Sequence, residues 1–247
     1  MEAWKRRLYD RYVSSGHFAA GATPDDCLPA DRNPYAARLI RRHLPAARDI
    51  SIVDLGCGNG ALLSCLQQFG YRQICGVDTS QQQVAAARAS GLTDVECKEI
   101  GAFLMGKENR FDVVFLMDIL EHLRKSELLG VLDQVRAALK VDGLLILHVP
   151  NAEGVFGMRV RYGDLTHENA FTPQSIHQAL RVCGFDQITC YEDKPIVHGP
   201  TSLVRRMLWA CLTTPMRLLL SAETGVTGHI LSQNMTVVAR TRQPGIK

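Results

Sequence analysis

The stretch Val53-Asp54-Leu55-Gly56-Cys57-Gly58-Asn59-Gly60 constrains this chain more than any other, because an apolar strand-like run empties into three alternating glycines and then into helical Ala61 to Phe69. Glycines at 56, 58 and 60 allow backbone conformations that side chains forbid and let a ligand approach the main chain closely. Short β-rich runs continue downstream, at Ile74 to Asp78, Val95 to Cys97, Phe111 to Met117 and Leu144 to Val149, with Ile50 to Leu55 as the first. Helical patterns lie between them, and this alternation predicts βαβ units around a parallel sheet.

The punctuation of the chain fits that plan. Ser80 caps a helix over 81–89 that Gly91 stops, and Ser126 caps one over 127–139 ahead of the Asp142-Gly143 turn. Thr172-Pro173 opens a helix that ends near Gly184. Strand-like Phe185 to Tyr191 follows, then an irregular or helical insert over 194–233, then a last strand from Met235 to Arg240. Two helices, about 2–13 and 33–43, precede the sheet, with a Gly/Ala/Pro/Asp loop at 20–31 between them. One domain is expected for 247 residues: 1–48 an N-terminal helical appendage, 49–150 the ligand-binding half, 151–247 the remainder.

The second strand ends in Gly76-Val77-Asp78, which puts a carboxylate where two ribose hydroxyls can donate to it. Enzymes of dinucleotides also pair a glycine loop with a ribose acid, but their spacing is G-x-G-x-x-G with a helix dipole aimed at pyrophosphate. Here the spacing is G-x-G-x-G, preceded by Asp54, an acid that would repel a diphosphate and suits a sulfonium or ammonium ligand. S-adenosylmethionine is favoured over NAD on that ground.

At this point the residues resemble a family. The D-L-G-C-G-N-G run, G-V-D at 76–78, and the run from Phe111 through Leu123 look like motifs I, II and post-II of class I S-adenosylmethionine-dependent methyltransferases. The resemblance covers about residues 49–150. It implies an α/β, Rossmann-like doubly wound sheet of seven strands, mostly parallel with an antiparallel last strand. It also implies that Gly56 and Gly58 flank the methionine moiety, that Asp78 holds the ribose, and that Met117 and Asp118 line the methionyl side. An acidic residue after strand three often binds the adenine amine in this family; Glu99-Ile100-Gly101 stands there instead, and Glu99 or the backbone at Ile100 and Gly101 is expected to do that work. The candidate cofactor contacts are therefore Asp54, Gly56, Cys57, Gly58, Asp78, Thr79, Glu99, Ile100, Met117 and Asp118.

Ligand crevices of open α/β sheets lie beyond the strand carboxyl ends, so the loops 118–124 and 150–171 should face the transferred methyl. The second contains Arg161-Tyr162-Gly163-Asp164-Leu165-Thr166-His167-Glu168. Methyl transfer needs an aligned nucleophile and a base for its proton, typically worth ~10²–10⁴-fold. His167 is the first candidate base, oriented by Asp164 or Glu168; His122 is the second. The same loop, with Pro150-Asn151 and Phe171-Thr172-Pro173, resembles methyltransferases of bacterial cell-surface polysaccharide functions, which implies O-methylation of a sugar hydroxyl on a glycan, glycolipid or nucleotide sugar. A small aromatic or quinone-like acceptor, which would want a greasier loop, and a catalytically silent cofactor-binding partner are the alternatives.

Composition narrows the partners. A net charge of +3 is too mild to imply nucleic acid, and the end of strand four lacks the Asn/Asp-Pro-Pro-aromatic run of base-methylating enzymes. Eight cysteines contain no C-x-x-C pair and no zinc spacing. No spacing calls for a metal, although Asp118, His122, Asp164 and His167 can approach one another. The amino terminus leads into no apolar h-region and no apolar run spans a bilayer, so a cytoplasmic site of action is expected. Residues 201–220 mix Leu, Met and Trp with three arginines and are a candidate peripheral membrane or dimer contact, with Pro215 expected to split the segment into two short pieces.

Overall fold

The computed structural model describes residues 3–9 and 33–241. The expected loop at 20–31 lies outside the described residues. Seven strands form one sheet in the order β3-β2-β1-β4-β5-β7-β6. They are β1 (Ser51–Leu55), β2 (Gln73–Asp78), β3 (Val95–Cys97), β4 (Phe111–Met117), β5 (Leu139–Pro150), β6 (Phe185–Glu192) and β7 (Asn234–Thr241). β1 through β5 pair in parallel, and β7 runs antiparallel to both β5 and β6. The doubly wound arrangement that the sequence predicts is present, with its antiparallel last strand.

Period-two alternation divides the sheet's apolar side chains between two cores. On β4, Val114 and Leu116 join a core with Leu132 and Ile176, while Val113 and Phe115 join the other, with Leu63 and Leu66. On β5, Leu145, Leu147 and Val149 belong to the first core and Leu144 and Ile146 to the second. Each such fully buried side chain contributes about 1.5–3 kcal/mol.

Nine helices are described: α1 (Ala3–Tyr9), α2 (Pro34–His43), α3 (Ala61–Gln68), α4 (Gln81–Ala89), α5 (Ile100–Leu104), α6 (Lys125–Ala138), α7 (Gly157–Gly163), α8 (Pro173–Val182) and α9 (Pro200–Thr224). Ser80 caps α4 by accepting from the Gln83 amide, and Thr172 caps α8 by accepting from the Ser175 amide. Two boundaries differ from expectation. α6 starts at Lys125 and not after Ser126, because the Glu127 carboxylate accepts from the Arg124 amide and closes the first turn earlier. β5 begins at Leu139, directly after α6, with a bulge against β4 between Phe111 and Val113. The Asp142-Gly143 turn is thereby absorbed into the strand, with Asp142 in the left-handed region at φ 59°.

Pro215 does not split the 201–220 segment. α9 runs unbroken over 25 residues with Pro215 inside it. Proline removes one amide and crowds the carbonyl four residues back, but side chains hold the helix through this turn. Thr213 and Thr214 donate their hydroxyls to the carbonyls of Trp209 and Ala210, and the Arg217 guanidinium donates to the Thr213 hydroxyl. Arg217 also pairs with Glu192 and reaches the His229 carbonyl. Among the described residues no helix is long and apolar enough to cross a membrane.

Candidate active site

In this strand order β1 sits between β2 and β4, so successive connections leave it in opposite directions and a crevice opens beyond the strand carboxyl ends. A cavity of about 660 Å³ occupies that place, within the range of small-molecule sites. One half is built by the first βαβ unit. The amides of Gly56 and Cys57 both donate to the Val77 carbonyl, at 2.7 and 3.0 Å, which folds the glycine loop back over the end of β2. Gly56 has φ +84° and a Cβ there would lie 2.1 Å from the Ile119 side chain; Gly58 has φ +52° with open space above it. The first glycine is thus required by packing and backbone, the second by backbone and by whatever fills the cavity.

Asp78 is fixed from both sides. Its Oδ2 accepts from the Gly58 amide at 2.9 Å and its Oδ1 from the Ser80 amide at 2.8 Å. Burial raises its pKa, and those amide hydrogen bonds work in the opposite direction. The carboxylate keeps lone pairs directed at the cavity, as binding a pair of vicinal hydroxyls requires. Thr79, Glu99, Ile100, Gly101, Met117 and Asp118 also line the cavity. Asp54 and Cys57 do not: both are buried behind the loop. Burial, and next the charge of Asp78, push Asp54 up to about 7, and one of its oxygens has no hydrogen-bond partner.

Directly after β4 stands Asp118, a non-glycine residue in the left-handed region at φ 55°. Its carboxylate meets His148 Nδ1 at 2.5 Å, and His148 Nε2 meets Asp193 at 2.7 Å. Burial opposes a charge on His148, but the two carboxylates outweigh it and push the pKa up to about 10. His148 is therefore an imidazolium donating from both nitrogens. Asp193 also accepts from Thr236, whose hydroxyl lies 3.0 Å from that of Tyr35 on α2. Sequence reasoning missed this buttress; its one signal was a histidine interrupting the apolar run of β5.

The other half of the cavity comes from the 3-10 turn Leu120–His122 and the loop after β5. The Glu121 carbonyl accepts the amides of Glu168 and Asn169, the Asn169 side chain donates to the Leu123 carbonyl, and Arg161 donates to the carbonyls of His167 and Glu168. These bonds dock the loop on the turn and bring His122 and His167 together, ring centroids 4.7 Å apart and edge to face. His167 Nδ1 lies 2.9 Å from the Val160 carbonyl; a carbonyl only accepts, so the ring proton is on Nδ1. His122 Nδ1 lies 2.9 Å from the Thr166 hydroxyl, which donates its proton to Asp164 at 2.6 Å and therefore accepts from the imidazole. Both rings thus carry their lone pair on Nε2. Burial first, then His167, pushes His122 down to about 4. Asp164 orients His122 and not His167, and Glu168 pairs with Lys5 at 3.0 Å.

Glu121, in the motif run but not named as a site residue by sequence, is 1% exposed with Oε2 lacking any partner. Burial raises its carboxyl well above the usual range. It lines the cavity with both histidines. Its signal in the sequence was an acid and a histidine side by side within apolar Ile119 to Leu123.

Residues 29–189 match the family described as methyltransferase domain, more than half of the chain. This chain belongs to that family. The methyltransferase is 27% identical over 128 residues to a ubiquinone biosynthesis O-methyltransferase of Rhodopseudomonas palustris, covering 51% of this chain and 47% of that protein. It is 32% identical over 116 residues to the one of Bradyrhizobium diazoefficiens, covering 44% of each, and 27% identical over 168 residues to one of Cereibacter sphaeroides, covering 62% and 66%. The chain thus spans about half of the length of the first of these relatives and just under two thirds of the last. Among solved structures, a SAM-dependent methyltransferase of Archaeoglobus fulgidus superposes with a TM-score of 0.68 at 19% identity, over 94% of this methyltransferase and 100% of that chain. Human N-acetylserotonin methyltransferase in complex with SAM gives 0.56 at 15% identity, over 84% and 52%. At those identities the likeness is one of fold.

Proposed function

We propose that the chain is an S-adenosylmethionine-dependent O-methyltransferase acting on the hydroxyl of a small aromatic or quinone-like acceptor. The cofactor is S-adenosylmethionine: Asp78 takes the ribose, Gly56 and Gly58 let the methionine part lie against the backbone, Glu99, Ile100 and Gly101 face the adenine, and Met117 and Asp118 flank the sulfonium. One observation carries the transfer chemistry, namely that His122 and His167, each engaged through Nδ1, line the same cavity as Asp78. The acceptor oxygen attacks the methyl carbon in line with the carbon–sulfur bond, sulfur leaves as a thioether, and His167 Nε2 takes the hydroxyl proton. Burial pushes His122 down to about 4, which disfavours it as the proton acceptor.

The acceptor class rests on how the 151–169 loop uses its polar groups. Asn151 donates to the carbonyls of Ile230 and Ser232, Arg161 to those of His167 and Glu168, Asn169 to that of Leu123, and Glu168 pairs with Lys5. Groups that read as partners for a sugar are engaged in holding the loop, and this removes the main support for a sugar acceptor. Phe156, Met158, Tyr162 and Leu165 of the same segment are exposed, and the curated relatives named for ubiquinone biosynthesis favour the same class. A membrane surface is the neighbour this reading calls for: Leu203, Met207, Leu208, Leu212 and Leu219 of α9 are all exposed, while Ser202 and Thr213 of the same helix are buried.

The test is methyl transfer from labelled cofactor to a prenylated catechol in detergent, with nucleotide sugars and a glycolipid extract in parallel. Label in the phenolic ether, lost in Asp78→Ala and reduced ~10²-fold or more in His167→Ala, supports the proposal. Label in the sugar fractions restores the sugar reading. Cofactor binding with no label in any fraction points to a silent partner.

A further inference from the structure

We infer that α9 lies in the plane of a lipid bilayer with its apolar side chains inserted at the headgroup boundary, and that this insertion, not charge attraction, holds the chain there. Along the helix, Ser202, Arg206, Trp209, Thr213, Arg217 and Leu220 are buried or half-buried. They recur three or four positions apart, so α9 rests on the body of the protein along one narrow stripe. The rest of its circumference faces outward. From Met207 to Ala222 every exposed residue is uncharged, and Leu212 and Leu219 are 68% and 71% exposed.

The width of that surface selects a bilayer as its occupant. Adjacent exposed apolar residues repeat along α9, at 203–204, 207–208, 211–212 and 218–219. Neighbours on a helix stand about 100° apart, so these pairs cover more than half of the circumference. A protein partner or a second copy packs on a helix through a stripe only about 100° wide, whereas a lipid surface has no shape to match and covers the whole arc. The helix lies on the bilayer and does not cross it. Pro215 removes the amide that would bond the Cys211 carbonyl, and water of the headgroup layer can satisfy that carbonyl where a hydrocarbon core cannot. Charge has little to contribute: Arg206 and Arg217 are half-buried and bonded to the Pro195 carbonyl and to Glu192, which leaves Arg205 as the exposed cation of α9, with Glu223 exposed at its other end.

The binding does not rest on the O-methyltransferase reading; its use for an apolar acceptor does. The segment after α9 is bonded to the loop after β5, with Asn151 donating to the Ile230 and Ser232 carbonyls and the Val155 amide to that of Leu231. Val160, Asp164 and His167 of that loop line the cavity. A bilayer that receives α9 therefore lies beside the acceptor side of the site.

The test is flotation of the full chain, with no acceptor present, on vesicles of phosphatidylcholine alone and of phosphatidylcholine with phosphatidylglycerol, at low and at high salt. The chain is expected to float with both, the bound fraction changing less than about 3-fold between lipids or salts. The double variant Leu208→Glu/Leu212→Glu should lower the bound fraction about 10-fold or more and Arg205→Gln less than about 2-fold, with S-adenosylhomocysteine binding intact in both as the check on folding. Flotation only with the anionic vesicles and lost at high salt overturns the insertion. A chain that stays in the aqueous fraction with both vesicles overturns the proposal outright, and a dimer in sedimentation that the double variant dissociates would then name a second copy as the occupant. Vesicle binding as expected, with no label in any phenolic acceptor, overturns only the acceptor reading.

Discussion

Asp54, His148 and the two cavity glycines show how single residues here trade stability against the site. Asp54 is a buried carboxyl whose pKa is raised to about 7. Such a group binds its proton more tightly in the folded state, so its ionisation lowers stability as the pH rises from the unfolded value near 4 through 7. Asp54→Asn removes that charge at nearly constant shape, and its melting temperature at pH 8 should exceed that of the parent. His148 has the opposite consequence. With a folded pKa of about 10 against 6.5 unfolded, its contribution is full below 6.5 and is lost as the pH rises through 10. Urea midpoints measured from pH 6 to 10 should fall more steeply for the parent than for His148→Gln. The glycines separate backbone cost from packing cost. Gly58→Ala should cost about 1 kcal/mol, because only the left-handed backbone resists it, yet it should abolish cofactor binding. Gly56→Ala should cost more, since its Cβ also meets Ile119. Denaturation with and without S-adenosylhomocysteine checks both.

At the scale of elements, helix ends and one helix interior are the informative places. Ser80 and Thr172 are N-caps that the residue type and the following pattern made readable, and Thr172→Ala should cost about 1 kcal/mol without touching the cavity. The early start of α6 was not readable in the same way, because it depends on which way the Glu127 side chain turns. Pro215 is the sharper case. A proline inside a helix costs about 3 kcal/mol relative to alanine, and α9 carries that cost while its Thr and Arg side chains hold the adjoining turn. Pro215→Ala should raise the thermal midpoint; an unchanged or lowered midpoint would mean that the ring is required where it sits. The contacts that hold α9 to the sheet, above all Arg217 with Glu192, join positions 25 residues apart, and no local pattern announces them.

For the whole molecule, the fold exists to set three loops side by side beyond the carboxyl ends of β1, β2 and β4, and then to close them with the loop after β5. A ligand that binds only this assembled state stabilises it by mass action, by about 2.7 kcal/mol at a hundred times its dissociation constant. S-adenosylhomocysteine at that excess should raise the urea midpoint of the parent and leave that of Asp78→Ala where it was.

The cofactor half was legible in the sequence because its information is local. A glycine loop, the strand it follows and the acid at the end of the next strand lie within 26 residues, and strand periodicity alone fixes which face each side chain takes. The doubly wound class of the sheet was expected from the resemblance that the same motifs carry, since alternating strands and helices permit few topologies, whereas the strand order came only from the structure. The acceptor half was legible only as a set of residue types. Which polar groups of 151–169 bond to the loop itself and which face the cavity depends on contacts between segments that are 40 to 80 positions apart. Examples are Asn151 with Ile230, Thr166 with His122, and Asn169 with Leu123. The sequence determined that a glycine loop and an acid would face one crevice beyond β1 and β2. Only the tertiary structure decided that Glu121 would stand buried between two histidines whose protons are already placed, because that arrangement is made by long-range hydrogen bonds.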